Sequence, residues 1–589
     1  MRARSPWCIL GSLTLALGGI LVAGYAGWLG PLATCGADGA TVCIVWPGAA
    51  SAATWAIFLG TLAGLAAWQA RDWRGTSVER REIGWLGLVL AAALIERAWR
   101  VDLAQVEFDE ASAASLVAAW HVQGLFPLTG IISSVGIPNP PAWPYLLALA
   151  LLPIDSPYAL VGLGIAVGLL SVVLTWWVGR RWLGPWGALA AAVFYAGGFW
   201  AAFLGRSGWQ PAFLQVPVIL CLDALLVLAL RRWPWALVIA CGWLALMAQL
   251  HYIALVFALM VPLAAFPARR ALRPVHLVAA ALTATTLLTP VLLYELNPSI
   301  RFRDLGPLLG DAGGPGAHWD LESALLSWTL VTNGGVAGLG GPDAEGLRLA
   351  LGRWASLSFS AVPLVGFGLL AAVAGWPKGW RGWLIAAWVL IPIVGLARHT
   401  LGILFHYLYA GLPGMALVVG ALVEFACLRM RRLARLAVAS ALAAYVAVSA
   451  AILWVVLDHV DRTGLYPGLG KPLGLNMAAA DAARAVLQPG GEVLVGGRVF
   501  EVEILRFSLG YAIPSRVFDD CGAIPLEPSA VYLLNSEHTP AAEVLAAAGA
   551  PLLGRVPRAD DAFLVYGPPR VPTVEPPKDE SLACRERSA

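Results

Sequence analysis

Residues 158–181 read YALVGLGIAVGLLSVVLTWWVGRR. From Tyr158 to Gly179 no charged residue interrupts the run, which stops at Arg180 and Arg181. A helix needs about 20 mostly apolar residues to cross a bilayer, and basic residues collect at its cytoplasmic end. The stretch therefore predicts a spanning helix that ends in the cytoplasm. Read outward in the same way, the chain predicts further helices near 7–30, 51–70, 83–100, 185–204, 212–230, 234–250, 252–267, 275–293, 354–374, 383–397, 402–428 and 436–457. That amounts to about thirteen crossings.

Composition agrees. Of 589 residues, 59% are apolar and 13% charged, whereas soluble domains carry about 25% charged residues. A water-soluble fold is excluded. The 27 Trp and 63 Gly suit headgroup-level anchoring and close helix contact. A net charge of +3, with the arginines in short clusters, excludes nucleic acid as a partner. The apolar run Trp7–Leu32 after Arg2 and Arg4 is longer than a signal-peptide core and lacks a small-x-small site, so it reads as a retained helix. Cys8, Cys221, Cys241 and Cys427 fall in apolar runs and read as core residues. Cys35, Cys43, Cys521 and Cys584 fall in polar segments, where disulfides are allowed; Cys35 with Cys43 bracket one short loop and are the favoured pair.

Strict alternation gathers Arg2, Arg4, Arg71, Arg74, Arg80, Arg81, Arg180, Arg181, Arg231, Arg232, Arg269, Arg270, Arg273, Lys378, Arg381, Arg429, Arg431, Arg432 and Arg435 on one side, the cytoplasm. This requires a cut between two helices at Gln249–Tyr252, because one continuous helix would turn the later arginine clusters outward. The opposite side then carries three long segments: 101–157, 294–353, and 458 to the end. Pro141–Ile154 is apolar but too short to span, as expected of an interfacial or re-entrant helix. After Leu457, β-like runs (Glu492–Val495, Ala530–Leu534, Ala562–Tyr566) alternate with helical ones (Met477–Leu487, Pro540–Ala548). The predicted organisation is two N-terminal transmembrane helices (1–82), a transmembrane core (83–457), a small extracytoplasmic α/β domain (458–567) and a disordered tail (568–589).

Chemistry can sit in few places. Glu107, Phe108, Asp109 and Glu110 open a helical segment in the first outer loop. Asp109 as N-cap with Glu110 following would be explained by helix capping alone. The same two carboxylates at a membrane surface can instead take a proton from a hydroxyl or hold a divalent metal. Arg206, at an outer helix end, suits a phosphate at headgroup depth or a snorkelling anchor. Arg97 and Arg100 share a helix face near the acidic loop and are placed to meet Glu96 or a lipid phosphate. His251 with Tyr252, at an outer turn, and His406 with Tyr407 are cavity or metal-ligand candidates, against the ordinary reading of satisfied bundle residues. Gly334–Gly341 follows no strand and Gly470-Lys471 lacks the preceding glycine, so neither is a nucleotide motif. Asp223 and Glu424 are acids inside apolar runs and belong to no repeat.

In chain order, Phe108-Asp109-Glu110, Gly124-Leu125-Phe126-Pro127, Asn139-Pro140-Pro141, Gly205-Arg206-Ser207-Gly208-Trp209, Gln249-Leu250-His251, Thr289-Pro290 before Tyr294-Glu295, and His406-Tyr407-Leu408 before Leu412-Pro413 resemble the GT-C membrane glycosyltransferases. The likeness is strongest to bacterial relatives of protein O-mannosyltransferases and aminoarabinose transferases, and covers roughly 83–457. It implies Asp109 as general base and Glu110 as its supporting or metal-binding partner. It also implies a sugar donor on undecaprenyl or a related polyprenyl phosphate, transferred with inversion to a glycan, glycolipid or protein on the outer face of a bacterial inner membrane. Some relatives bind a divalent cation, which is the one cofactor the resemblance allows. The rival class is a polytopic transporter or lipid flippase, which would use buried acids such as Asp223 in a through-going pathway.

Overall fold

The computed structural model of the chain describes residues 32–35, 41–45, 48–133, 138–295, 318–322, 325, 336, 344–352, 354, 361–373, 379–399, 405–464, 470–497, 499–521, 524–558 and 561–571. The expected helix 7–30, most of the 294–353 loop, nearly all of the 568–589 tail, the Cys35 side chain and Cys584 lie outside them. Among the described residues six helices are long and apolar enough to cross a membrane: Ser51–Trp73, Pro157–Trp182, Gln210–Arg231, Pro274–Glu295, His406–Arg429 and Arg432–Thr463. Six shorter apolar helices stand beside them, namely Ala142–Leu151, Pro185–Ala196, Ala236–Leu250, Tyr252–Ala268, Ala361–Val373 and Trp380–Gly395. The chain is an α-helical, multi-pass membrane protein. Gln210–Arg231 is its axis, because 89% of that apolar window is enclosed by protein, against 33% for Arg432–Thr463.

Local chemistry modifies several spans. The run 185–204 is two helices, Pro185–Ala196 and Phe199–Leu204, broken at Gly197-Gly198. A Cβ on Gly197 would lie 2.9 Å from Val446 Cγ1, and one on Gly198 2.5 Å from the Tyr445 hydroxyl, so the bare backbone is what lets the Arg432–Thr463 helix approach. His251 is extended, with φ of −160°, and ends the helix Ala236–Leu250; the chain resumes as a 3-10 turn, Tyr252–Leu259. Another 3-10 segment, Phe405–Gly411, precedes the helix Leu412–Arg429. The Pro141–Ile154 stretch forms the helix Ala142–Leu151, walled in by protein, with the Trp143 indole N–H donating to the Gly208 carbonyl at 3.1 Å.

Both intramembrane acids are held in place. Asp223 accepts from Gln69 (2.8 Å), Trp73 (3.0 Å), Trp182 (2.7 Å) and Arg181 (2.6 Å). Glu424 accepts the Gly187 amide at 2.7 Å and so satisfies the start of the Pro185–Ala196 helix.

Beyond the bundle, residues 493–496, 515–518, 531–534, 552–558 and 561–566 form one sheet in the order 515–518, 493–496, 531–534, 561–566, 552–558. The first three strands are parallel, and 561–566 runs antiparallel to both neighbours. Alternate residues feed two cores: Val493, Val495, Leu533 and Phe563 on one face, Leu494, Tyr532, Leu534 and Leu564 on the other. A second, three-stranded sheet pairs Leu32–Cys35, Thr41–Val45 and Leu125–Pro127. Cys43, opposite Pro127, and Cys521 are disulfide-bonded, whereas Cys221, Cys241 and Cys427 are free thiols.

Candidate functional site

The acidic loop folds as a 3-10 turn, Val101–Leu103, followed by the helix Phe108–Gln123. Its N-cap is Glu107. The Glu107 carboxylate accepts the Glu110 amide, and the Glu110 carboxylate accepts the Glu107 amide at 3.1 Å, a reciprocal capping box. The capping reading of Asp109 is thereby corrected: Glu107 caps, Glu110 closes the box, and Asp109 stands between them with no part in it.

Asp109 turns instead to the Gly205–Trp209 turn, where the Trp209 indole N–H donates to its Oδ2 at 3.2 Å. Behind Trp209 stand three rings from two other segments. His406 lies edge-on to Trp209 with centroids 5.0 Å apart, and His251 is 5.6 Å from His406 and 5.5 Å from Tyr407. The structure thus brings Asp109, Glu110, His251, His406 and Tyr407 together. Tyr252 is directed elsewhere, its hydroxyl donating to the Pro138 carbonyl at 2.8 Å. His251 Nδ1 accepts the Ile253 amide at 3.3 Å, which leaves the ring proton of the neutral form on Nε2. Burial pushes its pKa down to about 4, so the ring is neutral at physiological pH.

Three neighbouring carboxylates cannot all stay charged away from water. Burial first, and Asp109 second, push Glu110 up to about 8. Burial and the charges of Glu110 and Asp109 push Glu107 well above the ordinary carboxylate range. Asp109 is also raised by burial, but the Trp209 N–H offsets part of that rise. The arrangement is a capping acid biased toward its protonated form beside an aspartate steadied by an indole donor.

The three arginines gather at the end of the Arg80–Ala98 helix. Arg97 is fully buried, and its Nη1 donates to the Ala93 and Ala196 carbonyls, both at 3.2 Å. Arg100 places its fork on Asp461 (2.7 and 3.0 Å) and Asp102 (3.1 Å). Arg206 is 1% exposed and donates from Nη2 to the Trp99 carbonyl at 2.8 Å and to that of Arg100. Sequence reasoning gave no role to Trp209 or Glu107. Trp209 lies in a recognisable turn, but its partner is 100 residues away.

Among the described residues no group of three closely spaced metal-ligand side chains lies in this cluster. Glu110 is committed to the capping box and His251 Nδ1 to an amide. Among the described residues the triads with suitable spacing, Asp519/Asp520/Cys521 and Glu537/His538/Asp561, lie in the α/β unit. There Cys521 is in a disulfide, and Glu537 and Asp561 pair with Arg555 and Arg558.

The helical membrane bundle, with its broken-helix turn over an acidic loop and its small α/β unit, has the fold of a solved membrane protein. Among solved structures the chain is similar to ArnT, an aminoarabinose transferase, from Cupriavidus metallidurans bound to undecaprenyl phosphate, at 13% identity over 82% of this chain and 98% of that one, TM-score 0.53. The apo form of that protein superposes at 13% identity over the same shares with a TM-score of 0.49. The oligosaccharyltransferase of Archaeoglobus fulgidus in its apo form does so at 13% identity, over 74% of this chain and 64% of that one, TM-score 0.42. No protein-family profile and no curated protein sequence matches the chain. The likeness is one of fold.

Proposed function

We propose that the protein is a glycosyltransferase that moves a sugar from a polyprenyl-phosphate carrier to an acceptor hydroxyl on the outer face of a bacterial inner membrane, with Asp109 as general base. The observation that carries this reading is the division of labour in the acidic loop: Glu107 and Glu110 cap the helix between them, and Asp109 is left to the Trp209/His406/His251 cluster. The solved relative with undecaprenyl phosphate supplies the donor class. In the reaction Asp109 accepts the acceptor's hydroxyl proton as the oxygen attacks the anomeric carbon. The bond from that carbon to the phosphate oxygen breaks, its electron pair leaves with polyprenyl phosphate, and the anomeric configuration inverts. Neutral His251, with its Nε2 proton, is a donor available to substrate oxygens. Binding of a divalent cation through Glu110 Oε2 or His251 Nδ1 would displace the backbone amide that each now accepts. Transport is the weaker reading, since Asp223 is locked by four side chains.

The deciding experiment uses purified protein in nanodiscs with a polyprenyl-phosphate sugar, and measures released polyprenyl phosphate. Asp109→Asn keeps the shape and should melt with the wild type, because Glu107 is the cap. Its turnover should fall by about 10²- to 10⁴-fold, the usual contribution of a general base. A stable Asp109→Asn variant with wild-type turnover would end the base assignment.

A further inference from the structure

The C-terminal α/β unit holds the acidic loop at both ends. The Leu473 amide donates to the Ala104 carbonyl at 2.9 Å, and Pro472 bridges Gln105 in antiparallel fashion. Gly474 lies so close to Asp102 that a Cβ there would sit 3.0 Å from the Asp102 carbonyl oxygen. At the other end the Tyr511 hydroxyl donates to the Ala111 carbonyl at 2.8 Å and lies 3.3 Å from Glu503 Oε1. Glu503 is itself buried and paired with Arg506 at 3.0 Å. Ala111 directly follows Asp109-Glu110. The helix Val499–Leu509 divides its apolar residues between two bodies: Val502, Leu505 and Leu509 fill the α/β unit, whereas Ile504 and Phe507 join the bundle core with Ala111, Val117 and Leu473. A domain that merely trailed from the last helix would keep these side chains to itself.

We infer that the C-terminal unit is a clamp that fixes the Asp109–Glu110 turn, with Tyr511 as a positioning residue at its inner end. The clamp rests on the reading of Asp109 as base. Residues 104 and 111 are each tied to a body outside the bundle, so the turn between them is held from both sides. This matters because a misplacement of about 1 Å at a reacting group costs up to roughly 10²-fold in rate.

Tyr511→Phe, in the full-length protein, keeps the ring stacked on Phe507 and removes only the hydroxyl. It should speed amide hydrogen exchange across residues 107–112 and lower kcat roughly three- to tenfold, the worth of one hydrogen bond. Donor Kd should stay unchanged, and the melting temperature should fall by no more than the loss of that one bond explains. Gly474→Ala presses on the loop from its other end and should produce the same split between kcat and Kd. Wild-type exchange at 107–112 in both variants, with wild-type kcat, overturns the clamp; if Asp109→Asn is inactive in the same assay, the base assignment stands without it. If Asp109→Asn transfers sugar at the wild-type rate, the base assignment falls alone, and the exchange measurement still decides whether the unit clamps the loop.

Discussion

At Asp109 the decisive contact is one N–H. Trp209 donates to Oδ2 and stabilises the carboxylate, which lowers a pKa that burial has raised. Trp209→Phe keeps an aromatic edge toward His406 but removes that donor, so the pKa of Asp109 should rise further. If Asp109 is the base proposed above, a higher pKa leaves it protonated over a wider acid range, and the acid limb of kcat/KM should move to higher pH. An acid limb that stays where it is in Trp209→Phe would show that the indole does not tune the base. The acidic pair was legible in the sequence, but the allocation of tasks within it was not. Both Asp109 and Glu107 suit a helix start, and only backbone geometry says which residue is the extended one: Glu107, with φ of −119° and ψ of −174°. Trp209 escaped notice for a related reason, since an indole in a Gly-rich turn at a helix end reads as an interfacial anchor until its partner is known.

Among the elements, the Arg80–Ala98 helix shows how a membrane protein satisfies a helix end away from water. The last carbonyls of a helix lack intrahelical donors, and in lipid or protein each unpaired one is costly. Arg206 serves those of Trp99 and Arg100 from another segment of the chain. Arg206→Ala should therefore lower stability by about 2 kcal/mol, the scale of a hydrogen bond from a charged donor, seen as a lower melting temperature in detergent. Arg206→Lys should recover part of it. Unchanged melting together with weakened donor binding would instead return Arg206 to the phosphate role expected from its position. Long apolar runs made most helices legible, and the β-like runs at 492–495, 530–534 and 562–566 became three strands of the sheet. The strands Ser515–Phe518 and Leu552–Arg558 were missed because they are the sheet's edges, half exposed and without a continuous apolar run. The break at Gly197-Gly198 was invisible because glycine is common inside spanning helices, and its cause, the approach of Tyr445 and Val446, is distant in sequence.

For the whole molecule the question is which side is which, and two features bear on it. The arginine-rich end, where Arg181, Arg231 and Arg381 surround Trp182 and Arg180 pairs with Glu82 at 2.5 Å, is the end that the positive-inside rule assigns to the cytoplasm. The α/β unit is bound to the acidic loop at the opposite end, through Ala104 and Ala111. Cys43, beside the strand that follows the acidic-loop helix, and Cys521, in the α/β unit, are both oxidised, while the described thiols within the apolar helices are free. Disulfides persist outside the reducing cytoplasm, so these two cysteines favour the proposed placement of the acidic loop on the outer side. A donor carried on a polyprenyl phosphate is suited to a site on that side, where a lipid-borne sugar can be presented. A reporter active only in the cytoplasm should accordingly be silent when fused after Ala589 and active when fused after Gly75, in the turn between Ser51–Trp73 and Arg80–Ala98. Both fusions are needed, because a silent C-terminal fusion alone could reflect poor expression. The reverse pattern would invert the molecule in the membrane, set Cys43 and Cys521 in a reducing compartment, and remove the lipid-linked donor from reach of Asp109.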